Sequence, residues 1–319
     1  MKLVRKKNVK PFDEVYSMKP EQYDVPIALI VFNRPVETKR VFEAIASVQP
    51  KNLLIVADGA RSSEKGERIL VDEVRSIVSK VDWPCNVRLE FSEHNLGCKT
   101  RVSTGIDWVF SLVDEAVILE DDCLPTSAFF SYCRDMLSMY RNNPKVYSIS
   151  GTSFLENSLP NGHYMSDYAL MWGWATWRDR WIEYQVDPKD AYGTVFRKWW
   201  HRPVTLLYWI LIFFNLTGGR IDTWDYQWIL TVWRNHGLVV RPSVNLIKNI
   251  GFGENATHTT ISDHFISTLV TWDGQDDLKS LQGGLRSQVS YDAIDEKIWA
   301  GIGWKAPIIM IYDMLRNRI

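Results

Sequence analysis

At 319 residues, with a formal net charge of −1 and 24% charged residues, the chain can build a sizeable core and has no positive excess to draw it to nucleic acid. Its four cysteines (Cys85, Cys98, Cys123, Cys133) show no CxxC spacing, so neither a zinc site nor a disulfide framework is suggested. The first apolar run starts near Pro26, after polar sequence, so no secretory signal is read and a reducing cytosol is the expected compartment.

The basic run Lys2–Lys10 lies in an N-terminal arm, residues 1–22, read as solvated, with an acidic membrane surface as the alternative. "VPIALIVF" (Val25–Phe32) is a short continuous apolar run, as in a strand buried on both faces. A helix is expected from Pro35, with Val41, Phe42 and Ile45 along one face. "NLLIVADG" (Asn52–Gly59) is a second strand ending in Asp-Gly, and "SSEKGERILVDEVRSIVSKV" a second amphipathic helix, with Ser62 or Ser63 as its cap. "NVRLEFS" then reads as a strand, "KTRVSTGIDWVFSLV" as a helix and "EAVILE" as a fourth strand. This alternation predicts βαβ units and a mainly parallel sheet with helices on both faces.

Ligands in such sheets bind beyond the carboxyl ends of the strands. Asn33-Arg34, Asp58 and the triplet Glu120-Asp121-Asp122 fall at those ends. No GxGxxG follows the first strand and no GxxxxGK[ST] occurs. Three adjacent acids at the end of a buried strand repel unless something positive sits among them. They could hold a hard divalent cation, Mn²⁺ or Mg²⁺, supply a base, or be solvated. An extended backbone there would turn Glu120 and Asp122 to one side and Asp121 to the other.

After "KVYSISG" (Lys145–Gly151), another strand, the sequence becomes Trp-rich and irregular through Trp233, with much of the chain's total of 15 tryptophans. Individual tryptophans there read as core before sugar-stacking surface. Thr205–Leu216 is too short to span a bilayer; a buried helix or an interfacial one remain its two readings, and the C-terminal "IWAGIGWKAPIIMIYDMLRNRI" shares that ambiguity. "GLVVRPSVNLIKNIGFGENATHTT" reads as one short strand and a Gly-rich loop. One unit with two lobes is expected: 23–152, 153–275 and an amphipathic tail, 276–319.

In this order, "VPIALIVFNRP", "LIVADG", "AVILEDDCLPTSAFFSYC" and "RPSVNLIKNIGFGENATH" resemble the GT-A type nucleotide-sugar glycosyltransferases, and most closely the inverting N-acetylglucosaminyltransferase I group with its bacterial relatives. That group has an EDD after an apolar strand and a Pro/Phe/Tyr-bearing helix beyond it, matched here by Pro125, Phe129, Phe130 and Tyr132. Gly173-Trp174 and Trp224-Asp225-Tyr226-Gln227-Trp228 follow its later motifs, although its second acid after "WD" is Tyr226 here. The resemblance implies a GT-A fold with a nucleotide-sugar-binding half over 23–152 and an acceptor and catalytic half, Trp-rich and helical, over 153–275. It implies that Asp122 and His258 bind Mn²⁺ or Mg²⁺, which bridges the donor diphosphate. Glu120 and Asp121 would contact donor sugar and ribose, Asn33, Arg34 and Asp58 the nucleoside end, and Trp224 the sugar site. Asp225 would be the catalytic base, ahead of Asp222, and Thr257 would touch the diphosphate in a closing loop. Arg101 stands where the family has a nucleotide-contacting His.

The implied activity is transfer of a sugar, N-acetylhexosamine favoured, from a nucleoside diphosphate sugar, UDP favoured, to a glycan or lipid-linked acceptor in surface polysaccharide assembly. The expected place is the cytoplasm, at the inner face of the membrane, with a peripheral membrane contact and no nucleic-acid partner. Lys99, Arg101 or Lys248 could help neutralise the leaving diphosphate. Each site residue also has a plain structural reading: Asp225 as an acceptor for an indole N–H, His258 as a surface loop residue, Arg34 as a solvated cation. A sugar-1-phosphate nucleotidyltransferase, and a non-catalytic carbohydrate-binding or membrane-surface protein, are the alternatives.

Overall fold

The computed structural model describes residues 22–155, 162–251, 269–272, 274, 289–303 and 305–316. In β1 (Ile27–Val31) every residue is buried. Ile27, Leu29 and Val31 enter one core while Ala28 and Ile30 enter a second on the opposite face of the sheet. Strands β2 (Asn52–Ala57) and β4 (Glu115–Glu120) divide the same way, as the two-residue period of a strand requires. Helices α1 (Pro35–Val48), α2 (Glu67–Val78) and α4 (Ser127–Tyr140) cover the first face. The second is covered by α3 (Cys98–Leu112), α6 (Ala191–Trp199), α7 (Pro203–Thr217) and α8 (Asp225–Arg234). A Cβ on Gly105 of α3 would lie 2.5 Å from Val56 Cγ1, so this helix lies directly on β2 because glycine stands there.

With β3 (Asn86–Phe91), β6 (Val146–Ser150), β7 (His163–Ser166), β8 (Trp174–Trp177) and β9 (Leu238–Pro242), the strands form an eight-stranded sheet ordered β3-β2-β1-β4-β8-β6-β9-β7. The first four are parallel, β8 runs antiparallel to β4 and β6, and β6 and β9 are parallel. A separate ribbon pairs β5 (Cys123–Pro125) with β10 (Ile247–Asn249). The mainly parallel α/β sheet expected from the sequence is present.

The details differ in three places. Gly66, with φ of 85°, precedes α2, so neither Ser62 nor Ser63 is its cap. The Trp-rich stretch is regular: β8 leads into the single turn α5 (Arg178–Trp181), and α6 to α8 follow, their tryptophans packed on one another, as Trp174 on Trp224 at 5.7 Å between ring centroids. Beyond β9 there is a second strand, β10, where a loop was expected.

The tail is tied to this body. In α9 (Val289–Ile298), Asp295 pairs with the fully buried Arg241 of β9, and Glu296 pairs with Arg202 at 2.5 Å. Ser166 donates to Asp292 at 2.8 Å and to Asp295 at 3.0 Å. Burial raises the Asp292 carboxyl to about 7, with the nearby Asp167 charge adding to it. Helix α10 (Ala306–Arg316) packs on α7.

Candidate active site

Beyond the carboxyl ends of β1, β2 and β4 lies a cleft of about 1230 Å³, lined among others by Asn33, Arg34, Asp58, Arg101, Glu120, Asp121, Asp122, Trp224 and Asp225. Sequence-selected residues far apart in the chain are thus brought together at the position where open α/β sheets bind ligands.

The positive charge among the acids is Arg34. One guanidinium nitrogen, Nη1, donates to Asp122 Oδ2 at 2.6 Å and to Asp121 Oδ1 at 3.3 Å, while the Phe32 N–H donates to Asp121 Oδ2 at 3.1 Å. The strand-like alternation expected of the triplet is corrected here. β4 ends at Glu120, Asp121 and Asp122 turn before β5, and both face the same arginine. One arginine does not balance three carboxylates. Burial, with the charges of Asp122, Asp121 and Asp225, holds Glu120 well above the ordinary carboxylate range. Burial and Asp122 push Asp121 up to about 7, against the lowering influence of Arg34. The cluster is electrostatically short of a cation.

Among the described residues no group of three or more His, Cys, Asp or Glu side chains stands ready as a protein cage for a metal. A magnesium-like ion does not need one: it takes one or two carboxylates and completes its shell with water and phosphate oxygens. The hard oxygen donors of Asp122 and Glu120, in a cluster with excess negative charge, fit such an ion. Thr257 and His258 lie outside the described residues.

Asp58 is tied into the chain around it. Its carboxylate accepts from the N–H groups of Gly59, Leu96 and Gly97 at 2.8, 2.9 and 3.1 Å, and from Asn95 Nδ2 at 3.0 Å. It fixes the 95–97 turn that opens α3, and partial burial raises its pKa despite those donors. Asn33 donates to Glu67 at 2.8 Å, and Arg61 grips the same carboxylate. Arg101 is buried, with Nη2 donating to the Glu90 carbonyl and Nη1 to Glu90 Oε1 at 3.3 Å; its Nε has no protein partner. Lys99 and Lys248 do not line the cleft; among the described residues its cations are Arg34, Arg61 and Arg101.

Asp225 opens α8. Its Oδ1 accepts from the Thr223 hydroxyl at 2.5 Å and from the Tyr226 N–H at 2.8 Å, which orients the carboxylate. Trp224 is only 2% exposed and packs on Trp174 and Trp181, so its ring belongs mostly to the core although it borders the cleft.

Three cleft features escaped the sequence reading. Cys98 lines the cleft with its surface exposed, and desolvation within the cleft and the charges of Glu120, Asp225 and Asp222 raise its thiol pKa. Trp299 of the tail lines the cleft. Finally, the main chain after β10 covers Asp122: the Ile250 N–H donates to the Asp122 carbonyl at 2.8 Å, and a Cβ on Gly251 would lie 2.3 Å from Asp122 Oδ2. The Gly in "NIG" was the available signal, since a glycine often marks such close approach.

No family model matches the chain, and no curated protein matches it. Among solved structures, the chain is similar to a cytidylyltransferase from Leptospira borgpetersenii serovar Hardjo-bovis, 12% identical with a TM-score of 0.32, over 51% of this chain. The chain spans 63% of that protein's length. It is also similar to a 4-diphosphocytidyl-2C-methyl-D-erythritolsynthase from Anaerococcus prevotii, 10% identical with a TM-score of 0.35, over 81% of this chain and 97% of that one. At these identities and scores neither likeness bears on activity.

Proposed function

We propose that the protein is a metal-dependent inverting glycosyltransferase. It moves a sugar, N-acetylhexosamine favoured, from a nucleoside diphosphate sugar, UDP favoured, to a hydroxyl of a glycan or lipid-linked acceptor in surface polysaccharide assembly. The observation that carries this reading is the meeting of Glu120, Asp121, Asp122 and Asp225 in one cleft at the ends of parallel strands, with more negative charge than Arg34 balances.

Bound Mn²⁺ or Mg²⁺, held by Asp122 with Glu120 beside it, would act as a Lewis acid on the leaving diphosphate. Asp225 takes the proton of the acceptor hydroxyl, and Thr223 and the Tyr226 N–H hold its carboxylate in position for this. Asp58 shapes the nucleoside end through the 95–97 turn, with the buried Arg101 behind it. Trp299 supplies an apolar wall in the cleft, and aromatic faces suit sugar rings.

The test is a thermal-shift panel of nucleotide sugars with and without Mn²⁺, followed by product analysis. A donor should raise the melting temperature only with the cation, and slow release of nucleoside diphosphate should follow even without acceptor. Asp122→Ala should abolish cation-dependent donor binding; normal donor and metal binding by this variant would remove the metal assignment. Pyrophosphate as the product would point instead to a nucleotidyltransferase, and glycan binding without any nucleotide-sugar response to a non-catalytic protein.

A further inference from the structure

Three packed helices present apolar faces to solvent. In α6, Tyr192 and Phe196 are exposed, and Trp200 just past its end is 67% exposed. Val204, Leu207 and Phe214 recur along α7 at helical spacing and are also exposed. In α10, Ile308, Ile309 and Tyr312 are exposed while Pro307 is buried. α7 touches both α6 and α10, so the three helices are neighbours.

Along the three helices basic residues outnumber the one acid, Asp313 of α10. No aspartate or glutamate occurs from Ala191 to Ile221, where Arg197, Lys198, Arg202 and Arg220 do; none occurs from Lys297 to Tyr312, where Lys297 and Lys305 do. In a chain of net charge −1 this is a local segregation. Lys198 and Arg202 are engaged by Asp167 and Glu296, but Arg197 and Arg220 have no carboxylate partner among the described residues. Exposed aromatic and aliphatic side chains beside cations are the composition of a helix face that lies in a headgroup layer. Among the described residues no helix is long and apolar enough to cross a membrane. At 15 residues, α7 spans about 22 Å, short of the roughly 30 Å hydrocarbon core.

We propose that α6, α7 and α10 form a docking face for the surface of an anionic phospholipid bilayer, on which the protein lies without spanning it. Two chain segments join the face to the cleft. The chain leaving α7 reaches the cleft at Ile221, and Trp299, shortly before α10, lines it. A substrate carried by a membrane lipid would therefore meet the cleft beside the docked face. The docking itself does not rest on the transferase reading, because it requires neither donor nor metal.

The test is co-sedimentation of the full chain with vesicles, without nucleotide or metal. Vesicles of phosphatidylcholine and phosphatidylglycerol in equal parts should bring the protein down; phosphatidylcholine alone should not. Raising the salt should weaken the binding as screening shortens the reach of the lipid charge. Trp200→Ser with Leu207→Ser and Ile309→Ser should lower the partition coefficient by about tenfold or more. Arg197→Glu with Arg220→Glu, which keeps every apolar side chain of the face, should lower it by a similar factor. Both variants must keep the parent's melting temperature and circular dichroism. Failure of the parent to bind anionic vesicles overturns the proposal, as does binding unchanged in both variants. A parent dimer in sedimentation equilibrium that the triple substitution dissolves, without vesicle binding, also overturns it and makes a second copy the occupant.

Discussion

Arg34→Met tests the charge balance at the acidic cluster most directly. The side chain keeps its length and loses its charge. Removing one partner of a buried ion pair costs about 3–5 kcal/mol because the other is left uncompensated. Arg34 serves two carboxylates, at 2.6 and 3.3 Å, but its side chain is 24% exposed, and water relieves part of the loss. We expect a cost of about 2 kcal/mol, or a fall in melting temperature on the order of 4 °C for a chain of this size, measured with EDTA present. The pH dependence has a definite sign. Asp121 is raised to about 7 in the folded protein, whereas an unfolded aspartate lies at about 3.9. Between those values the folded state holds a proton that the unfolded chain has released, so stability falls as pH rises through that window. Deleting Arg34 removes a lowering influence on Asp121, so the deficit of the variant is larger at about pH 8 than at about pH 6. Divalent cation should then restore what was lost. At about 100 times its Kd a bound ion adds about 2.7 kcal/mol, and it binds the variant more tightly because it no longer competes with Arg34 for Asp122. Differential scanning fluorimetry of both proteins against a Mn²⁺ titration reads this. An equal Mn²⁺ increment in the two proteins would refute the idea that cation and arginine share these carboxylates.

Further outcomes follow from the same geometry. Asp225→Asn should lower kcat by about 10²–10⁴ while donor-induced thermal shifts stay intact, because it removes the proposed base and keeps the shape; lost donor binding would assign Asp225 to the donor site. Asp295→Ala should destabilise by about 3–5 kcal/mol in chemical denaturation, and Arg241→Met with Asp295→Leu should recover most of that. Asp58→Ala should weaken nucleoside diphosphate binding in calorimetry more than it changes kcat, since it frees the 95–97 turn and leaves the acid cluster alone.

The sheet's first half was legible because its signals are local. Each of β1, β2 and β4 is an apolar run long enough for one strand, and Pro35 marks the start of α1 within a few residues of it. In the Trp-rich stretch Thr205–Leu216 was expected as a helix and is α7, apolar nearly all round, so its sequence does not say which side it buries; α6 and α8 hid in the segments read as irregular. Strand β10 has three residues, and its existence depends on pairing with β5, more than a hundred positions earlier. The site divides similarly. That Asp58 and Glu120–Asp122 border one cleft followed from their places at strand ends, whereas Asp225 was expected there only from the family resemblance. That Arg34 sits on Asp121 and Asp122 did not, because Phe32 and the turn after β4 set that geometry through contacts far apart in sequence. Nor did the engagement of Asp58 by the 95–97 turn, which lies beyond a helix and a strand.

The ion pair between Arg241 and Asp295 makes β9 depend on a helix that is synthesised after it. A nascent chain that has not yet produced α9 must either keep this guanidinium in water, with β9 unable to take its place beside β6 and β7, or bury it alone at a cost of several kcal/mol. Proteolysis or a stop codon before Asp295 would therefore not trim an appendage. It would withdraw a counter-charge from the strand next to the sheet's far edge and, with Trp299, a wall of the cleft, so a shortened product should be cleared as misfolded rather than persist as a weakened form.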